Sequence, residues 1–365
     1  MWTVIVVLAG LALGCGAVDN AGGELVFDVV DHGARGDGIT DDTKAFEAAW
    51  TAACGAKAPS ASMVVPPQRS FLVGPVSFQG PCASERITVQ IQGNIVAPPS
   101  TAANTWTSVR NNYWLMFSRV AQGDRQRHAR RQRPKLVDQD SGDAAMSIAF
   151  NLHRRMHIAI LESSGVNVWG LNITAPGSSP NTDGVHIEQS QNVQVTNSRI
   201  CTGDDCISMS SGSRFVTADG IECGPGHGVS IGSLGKNGDT AAVEFIDVKN
   251  VHFINTMNGA RIKTWEGGQG YAKSISFTNI EFDNVDNPVL IDQFYRDRSV
   301  ARAVAISNVT YSNLKGTSSR ATAVAFDCSD GGSCTDIHVE SMNITGPGSS
   351  CQEVGGASGV GVGAL

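Results

Sequence analysis

The chain has 365 residues, a formal net charge of −7 and a sequence pI near 5.6. Only 17% of its residues are charged, against roughly 25% in an average soluble protein, and glycine occurs 41 times. That balance excludes a coiled coil and an acidic disordered tail, and it offers no basic footprint for nucleic acid. Abundant glycine with few charges favours tightly turned β architecture over helical bundles.

In chain order, the first element is a hydrophobic run from Trp2 to Leu13, too short to cross a bilayer comfortably. The small-residue stretch Leu13-Gly14-Cys15-Gly16-Ala17 follows and resembles a signal-peptidase site, although the run carries no Lys or Arg ahead of it. The reading is a signal peptide over 1–17 and a secreted, extracellular mature chain over 18–365. No later run of about 18 apolar residues occurs, so no membrane partner is expected. Three Asn-x-Ser/Thr sequons, at Asn172, Asn308 and Asn343, fit a secretory route as glycosylation candidates.

Of the nine cysteines, Cys15 would leave with the signal, and an even number in an oxidising compartment suggests disulfides whose connectivity sequence alone does not fix. The local pairs Cys206–Cys223 and Cys328–Cys334 are favoured, with Cys54–Cys82 next; Cys201 and Cys351 stay unassigned. Zinc is disfavoured because there is no Cys-x-x-Cys pair and no nearby His-x-x-x-His.

Asp31 to Asp42 is rich in Gly and Asp and reads as a loop. Lys44 to Cys54 then puts Phe46, Ala49, Trp50 and Ala53 on one helical face, with Thr40 or Asp41 available as the cap. One short helix ahead of a long β region suits a cover for an open sheet end.

From about residue 164 the sequence repeats without being identical. Asn167-Val-Trp-Gly-Leu-Asn-Ile173 is echoed by Asn192-Val-Gln-Val-Thr-Asn-Ser-Arg-Ile200 and Asn250-Val-His-Phe-Ile254. Further echoes are Ser274-Ile-Ser-Phe-Thr-Asn-Ile280, Ala303-Val-Ala-Ile-Ser-Asn-Val309 and Asp336-Ile-His-Val-Glu-Ser-Met-Asn-Ile344. Short alternating strands at roughly 22- to 33-residue spacing belong to a repeat architecture rather than a sandwich. An all-β, single-stranded, right-handed parallel β-helix with a short N-terminal capping helix fits best. Its coils stack at about 4.8 Å, which brings residues one coil apart side by side.

Four polar clusters fall on those coils: Asn181-Thr-Asp183, Gly203-Asp-Asp-Cys206, Gly226-His-Gly228 and Arg261-Ile-Lys263. Asp183 precedes Asp204 by 21 residues and Asp205 precedes His227 by 22, so these side chains form a ladder on one face. Like charges at a few ångströms push one carboxyl pKa up, leaving one acid protonated beside ionised neighbours. Glycoside hydrolysis needs that combination. Arg261 and Lys263 alternate around Ile262, so both point outward beside the acids and suit an anionic substrate such as a uronic-acid polymer.

The four motifs, in this order, resemble those of the polygalacturonase family of glycoside hydrolases (family 28). The surrounding words Cys206-Ile-Ser, Cys223-Gly-Pro-Gly-His-Gly-Val-Ser-Ile-Gly-Ser-Leu-Gly235 and Asn287-Pro-Val-Leu-Ile-Asp-Gln293 are similar to its plant branch. Val26-Phe-Asp-Val-Val-Asp-His-Gly-Ala-Arg-Gly-Asp-Gly38 resembles the family's opening. The resemblance covers about residues 24–118 and 152–352. It implies hydrolysis of α-1,4-galacturonosyl bonds in pectin with inversion, without metal or other cofactor, by a monomer. It further implies Asp204 as general acid, Asp183 and Asp205 as the carboxylates that activate water, and His227 as support for the acid. Asn181, Arg261 and Lys263 would bind substrate, and Tyr295 resembles the family's sugar-contacting tyrosine, though Phe294 and Arg296 replace its usual Asn and Cys neighbours.

The match fails between Ser118 and Asn151. Where the family carries a Gly-rich coil, this chain has Gly123-Asp-Arg-Gln-Arg-His-Ala-Arg-Arg-Gln-Arg-Pro-Lys135, whose six Lys/Arg suit an exposed loop. The segment 119–151 is atypical and reads as a lost coil or an altered exon boundary. Three other functions stay open: a hydrolase for rhamnogalacturonan or xylogalacturonan, a calcium-dependent pectate lyase, and an inactive wall-binding homologue. The lyase would need acidic calcium ligands and an Arg base, which this ladder does not resemble.

Overall fold

The computed structural model describes residues 18–19, 24–84, 86–98, 113–120, 146–149, 156–295, 303–329, 334–347 and 361–362. The signal-peptide reading over 1–17, the basic run 123–135, Arg296 and Cys351 lie outside the described residues. No helix among the described residues is long and apolar enough to cross a membrane.

Three sheets carry the fold. A four-stranded sheet at the N-terminal end combines Val18–Asp19, Glu24–Asp28, Ser60–Val65 and Arg86–Ile91. A 13-stranded sheet runs from Asp37–Asp41 to Gly361–Val362, and a nine-stranded sheet from Val76–Gln79 to Val324–Asp327. From Met156 onward the chain alternates between the two large sheets: Gln191–Cys201 in one, Ile207–Met209 in the other, then Arg214–Cys223 and Val229–Leu234. Every pairing in the two large sheets is parallel. The architecture is a right-handed parallel β-helix, the hand that parallel crossovers take.

Apolar residues one coil apart stack into the interior. Val193, Val216, Ile246, Ile275, Val309 and Ile337 are register partners along six successive strands, and all are buried. Aromatic rings continue the columns, with Phe277 stacked on Tyr311 at 5.2 Å and Phe253 on Phe282 at 5.6 Å. Each added coil therefore buries one more layer against the last.

The repeated Asn phrase is resolved into two columns rather than one. Asn192, Phe215, Phe245, Ser274, Asn308 and Asp336 occupy one bend, all with φ between 52° and 58°. Five residues later, Asn197, Gly220, Asn250, Asn279, Asn313 and Ser341 occupy a second left-handed bend. Asn250 is thus equivalent to Asn197 and not to Asn192, so two of the sequence echoes are aligned five residues out of register. Asparagine recurs because its short amide tolerates the left-handed region and can bond to its neighbour in the next coil. Asn279 Nδ2 donates to Asn250 Oδ1 at 3.2 Å, and Asn313 Nδ2 donates to Asn279 Oδ1 at 2.7 Å.

The one α-helix among the described residues spans Thr43–Gly55 and buries Ala45, Phe46, Ala49, Trp50, Ala53 and Cys54. Its cap position is Asp42, not Thr40 or Asp41 as expected. The Asp42 carboxylate is drawn away to the N–H groups of Arg35 and Gly36, and Asp41 instead accepts from Thr43 N–H at 3.0 Å. The structure pairs Cys54–Cys82, Cys206–Cys223 and Cys328–Cys334, and leaves Cys201 buried as a free thiol. Within the atypical segment, Met146–Ala149 is a strand between Asn94–Val96 and Leu171–Thr174, which the sequence pattern did not anticipate. Residues 121–145 and 150–155 lie outside the described residues.

The Asn column makes a stability prediction. Asn279 sits at φ 56°, where a β-branched side chain is strained by roughly 1–2 kcal/mol. Asn279→Val also loses two exposed amide bonds, so urea denaturation should show a total loss of about 2–3 kcal/mol. Asn279→Gly, free of the strain, should lose clearly less.

Candidate active site

The nine-stranded sheet supplies the floor of the site. His186, Ser208, Ser230 and Arg261 are consecutive register partners on Val185–Glu188, Ile207–Met209, Val229–Leu234 and Asn258–Thr264. Their neighbours Val185, Ile207, Val229, Ala260 and Ile262 point into the core, so strand alternation turns this polar column outward. The acids come from the turns just before these strands, Asp183 ahead of Val185 and Asp204-Asp205 ahead of Ile207. The Cys206–Cys223 bridge ties the second turn to the neighbouring coil.

Glycines let the turns approach. At Gly228 φ is +88°, and a Cβ would collide with the Asn258 carbonyl; at Gly203 it would collide with the Ser179 backbone. His227 is thereby held against Asp204, its N–H donating to the Asp204 carbonyl at 2.7 Å.

Asp205 is the buried anchor. It accepts from Arg261 Nη2 at 2.7 Å on Oδ1 and from Lys263 Nζ at 2.9 Å on Oδ2, with Ser230 Oγ donating to Oδ1 at 2.8 Å. Arg261 Nε also donates to Ser230 Oγ at 2.9 Å. All of these groups are buried. The two cations therefore do stand beside the acids, as expected, but they do so as partners of Asp205.

Asp204 is more open. Its carboxylate accepts from Asp205 N–H at 2.8 Å, from Asn181 N–H at 3.1 Å and from His227 Nδ1 at 3.1 Å. Side-chain exposures of 20% for Asp204 and 30% for His227 put this pair where a substrate can reach it. Burial pushes the Asp204 carboxyl up, but the hydrogen bond and charge of His227, the Lys263 charge and the Asp205 N–H outweigh it and hold the group below its usual range. Asn181 itself is exposed and reaches Asp204 through its backbone, while Thr182 is buried and accepts from Gly203 N–H at 3.0 Å.

Asp183 behaves oppositely. Burial, then the charges of Asp205 and Asp204, push its carboxyl up to about 7, against the opposing hydrogen bond from Ser208 Oγ at 2.6 Å. The raised acid expected within the trio is therefore Asp183, not Asp204, because Asp204 is the one that faces His227.

Tyr295 flanks the cluster, its ring 5.4 Å from Lys263 Nζ and edge-on to Trp265 at 6.0 Å. Sequence reasoning missed Ser208, Ser230, His186 and Tyr113, whose ring stacks on His186 at 5.8 Å. The two serines carried a signal, since each is a lone polar residue between buried apolar ones, spaced 22 apart. Asp204, Asp205 and His227 offer ligand atoms within 4.8 Å of one another. A divalent cation there would stand against the Arg261 and Lys263 charges, both bonded to Asp205.

The model of glycosyl hydrolases family 28 matches residues 54–360. The chain belongs to that family. Among curated relatives, a probable polygalacturonase of Arabidopsis thaliana is 41% identical over 338 residues, spanning 87% of this chain and 73% of the relative. A polygalacturonase of Persea americana is 39% identical, spanning 88% of this chain and 74% of its own. Among solved structures, an endo-xylogalacturonan hydrolase from Aspergillus tubingensis superposes with a TM-score of 0.63 at 20% identity, over 93% of this chain and 99% of the other. A polygalacturonase from Erwinia carotovora gives 0.54 at 16% identity, over 84% and 91%. At those identities the structural likeness carries the fold alone.

The Asp183 environment predicts how stability depends on pH. Its folded pKa of about 7 lies above the unfolded value of about 3.9, so the folded state holds the proton more tightly. This contribution is fully present below about pH 4 and is lost as pH rises through 7. Asp183→Asn should flatten that fall, gaining on the order of a few kcal/mol relative to the native chain at pH 8. Thermal denaturation across pH 4–8 checks it; parallel slopes in both proteins would contradict the assignment.

Proposed function

We propose that this family 28 hydrolase acts outside the cell on pectin, cleaving α-1,4-galacturonosyl linkages of polygalacturonan by metal-independent acid–base hydrolysis with inversion. The observation that carries the reading is the half-exposed Asp204–His227 pair standing over the buried Asp205–Arg261–Lys263 cluster. The polygalacturonase names of the 41% and 39% identical relatives favour unsubstituted galacturonan over xylogalacturonan. Three disulfides among the described residues suit an oxidising compartment.

Asp204 is the acid, because it is the carboxyl a glycosidic oxygen can approach. Of the two carboxylates implied to activate water, Asp183 is the better base. Both Asp205 oxygens are committed to cations, whereas Asp183 accepts from a hydroxyl and holds a proton readily. Asp205 is the fixed negative charge that keeps Arg261 and Lys263 aimed at the substrate face. Lys263, with three donors and one on Asp205, has capacity left for a galacturonate carboxylate.

Protons then sit the reverse way round in the resting site. The working form needs Asp204 protonated and Asp183 ionised, while the environments favour the opposite. Such a pair titrates as a unit and carries one shared proton between its two apparent pKa values. The rate is bell-shaped in either arrangement, bounded below by the lowered Asp204 and above by Asp183 near 7. The optimum should fall at about pH 4–6.

Reducing-sugar release from polygalacturonate in EDTA, with ultraviolet absorbance followed in parallel, tests the reaction class. Hydrolysis gives sugar release with no unsaturated product, and a rate still rising above pH 8 with growing absorbance would point to lyase chemistry. Asp204→Asn, nearly isosteric but with no proton to give, should lose at least the 10²–10⁴-fold that a positioned acid typically supplies while remaining folded.

Lys263→Met removes a charge-assisted contact worth roughly 1.5–3 kcal/mol, a 10- to 100-fold loss in kcat/KM on polygalacturonate. On highly methyl-esterified pectin, where the carboxylate is masked, the loss relative to the native chain should be smaller. Equal losses on both would mean that Lys263 acts only through Asp205.

A further inference from the structure

Two rungs of the polar column are built alike. In one, Arg261 donates to Ser230 and Ser230 donates to Asp205. In the other, His186 Nδ1 lies 2.8 Å from Ser208 Oγ and Ser208 donates to Asp183 at 2.6 Å. The difference is the terminal group: a guanidinium, which can only donate, against an imidazole whose Nδ1 can donate or accept. The other imidazole nitrogen, Nε2, lies 3.4 Å from Glu188 Oε2. We propose that His186, through Ser208 and backed by Glu188, is a positioning residue that sets which of Asp183 and Asp204 carries the catalytic proton. The proposal rests on the assignment of Asp204 as acid and Asp183 as base.

Hydrogen-bond direction provides the mechanism. In one arrangement Asp183 is protonated and donates to Ser208 Oγ, Ser208 donates to neutral His186 Nδ1, and Nε2–H points at Glu188. In the other, the Asp183 proton has passed to Ser208 while the Ser208 proton has passed to Nδ1. Asp183 is then an anion accepting from Ser208, and His186 is an imidazolium donating to both Ser208 and Glu188. Serine gains one hydrogen and gives one up, so a single positive charge moves from Asp183 to His186. With Asp183 anionic, the next proton from solvent goes to Asp204, which is the working form.

The neighbours leave His186 as the switching group. Tyr113, stacked on its ring, is pushed up to about 12 by burial and by the charges of Glu188 and Asp183, and stays neutral. His157, bonded to the Asp183 carbonyl at 3.0 Å, is pushed down to about 4 by burial, against opposing hydrogen bonds to the Asp183 and Thr182 backbone, and stays neutral too. Glu188 is held below its usual range by the His186 hydrogen bond and provides the counter-charge. The remaining charges facing Asp183 are Asp204, which bonds His227, and Asp205, which is paired with Arg261 and Lys263.

The signature is in the pH profile of kcat/KM on polygalacturonate. His186→Phe keeps a ring for Tyr113 to stack on but removes both nitrogens and the charge. Asp183 then holds its proton more tightly by on the order of one pH unit, the scale of an opposite charge at close range. The upper limb should move up by about one unit and the plateau should fall about tenfold. Above the shifted limb, where Asp183 is ionised in both proteins, the two curves should converge. A structural lesion lowers the rate by one factor at every pH, and that outcome, or an unmoved upper limb, overturns the proposal. Glu188→Gln, at a half-exposed position, should give a smaller shift in the same direction if His186→Phe fails to fold; an unshifted profile there overturns it equally. Asp183→Asn is the control for the underlying assignment. If Asp183→Asn turns over normally, the base has been misassigned; if it is inactive and the His186→Phe loss is uniform in pH, only the relay falls.

Discussion

The site depends on one buried carboxylate held between two cations. Asp205 has Arg261 on one oxygen and Lys263 on the other, with all three groups almost sealed from water. A buried ion pair is poor evidence of net stability, since desolvation opposes the Coulomb gain, but removing one partner is strongly destabilising because it strands the other charge. The triad therefore fixes an arrangement more than it strengthens the fold. It joins two non-adjacent coils through Val229–Leu234, and it puts two positive charges under a face that also carries Asp183 and Asp204. Without them, three carboxylates on neighbouring turns would repel and protonate.

That clamp also divides the labour among the acids. Asp205, accepting from two cations and a hydroxyl, is bonded as only an anion can be. Asp204 takes two backbone N–H groups and an imidazole, a shell that again favours the anion. The proton the cluster must hold consequently goes to Asp183, which is buried and the least compensated member. Motif likeness alone would put the acid's proton on Asp204 from the outset. The surroundings instead push the Asp183 carboxyl up to about 7 and hold Asp204 below its usual range, so in the proposed reaction turnover would draw on the minor arrangement of a shared proton.

Much of the fold was legible in the sequence. Short alternating strands at a coil-length repeat are a direct record of stacking, and the helix face of Phe46, Ala49, Trp50 and Ala53 is buried as its spacing requires. The register was less legible. Two left-handed bends per long strand both favour Asn, so Asn192 and Asn250 look alike in sequence although five residues separate their places in the coil. The site was legible wherever a motif was dense, as at Asp204-Asp205 and Arg261-Ile-Lys263. It was illegible where a function rests on one unremarkable serine. Ser208 and Ser230 acquire meaning only when strand pairing sets them between a donor and a carboxylate. The ion pairing of Arg261 and Lys263 was hidden for the same reason, since facing outward beside an acid and being bonded to it have the same sequence.

The strands on either side of the atypical segment bear on the site through identifiable contacts. From Met156 to Asp292 the pairing of the nine-stranded sheet is unbroken, so the coils that carry Asp183 through Lys263 brace one another. Upstream, Tyr113–Ser118 pairs directly with Met156–Leu161, which closes the same sheet across the intervening chain. Tyr113 on that strand stacks on His186, and His157 on the next bonds the Asp183 carbonyl. The two strands therefore touch the site through one ring and one backbone bond. Both lie on the Asp183 side of the cluster, while Asp205 stands one coil further along and Arg261 and Lys263 beyond it. The surroundings of Asp183 are thus the part of the site that these two strands reach, whereas Arg261 and Lys263 are braced by Val229–Leu234 and Asn287–Asp292.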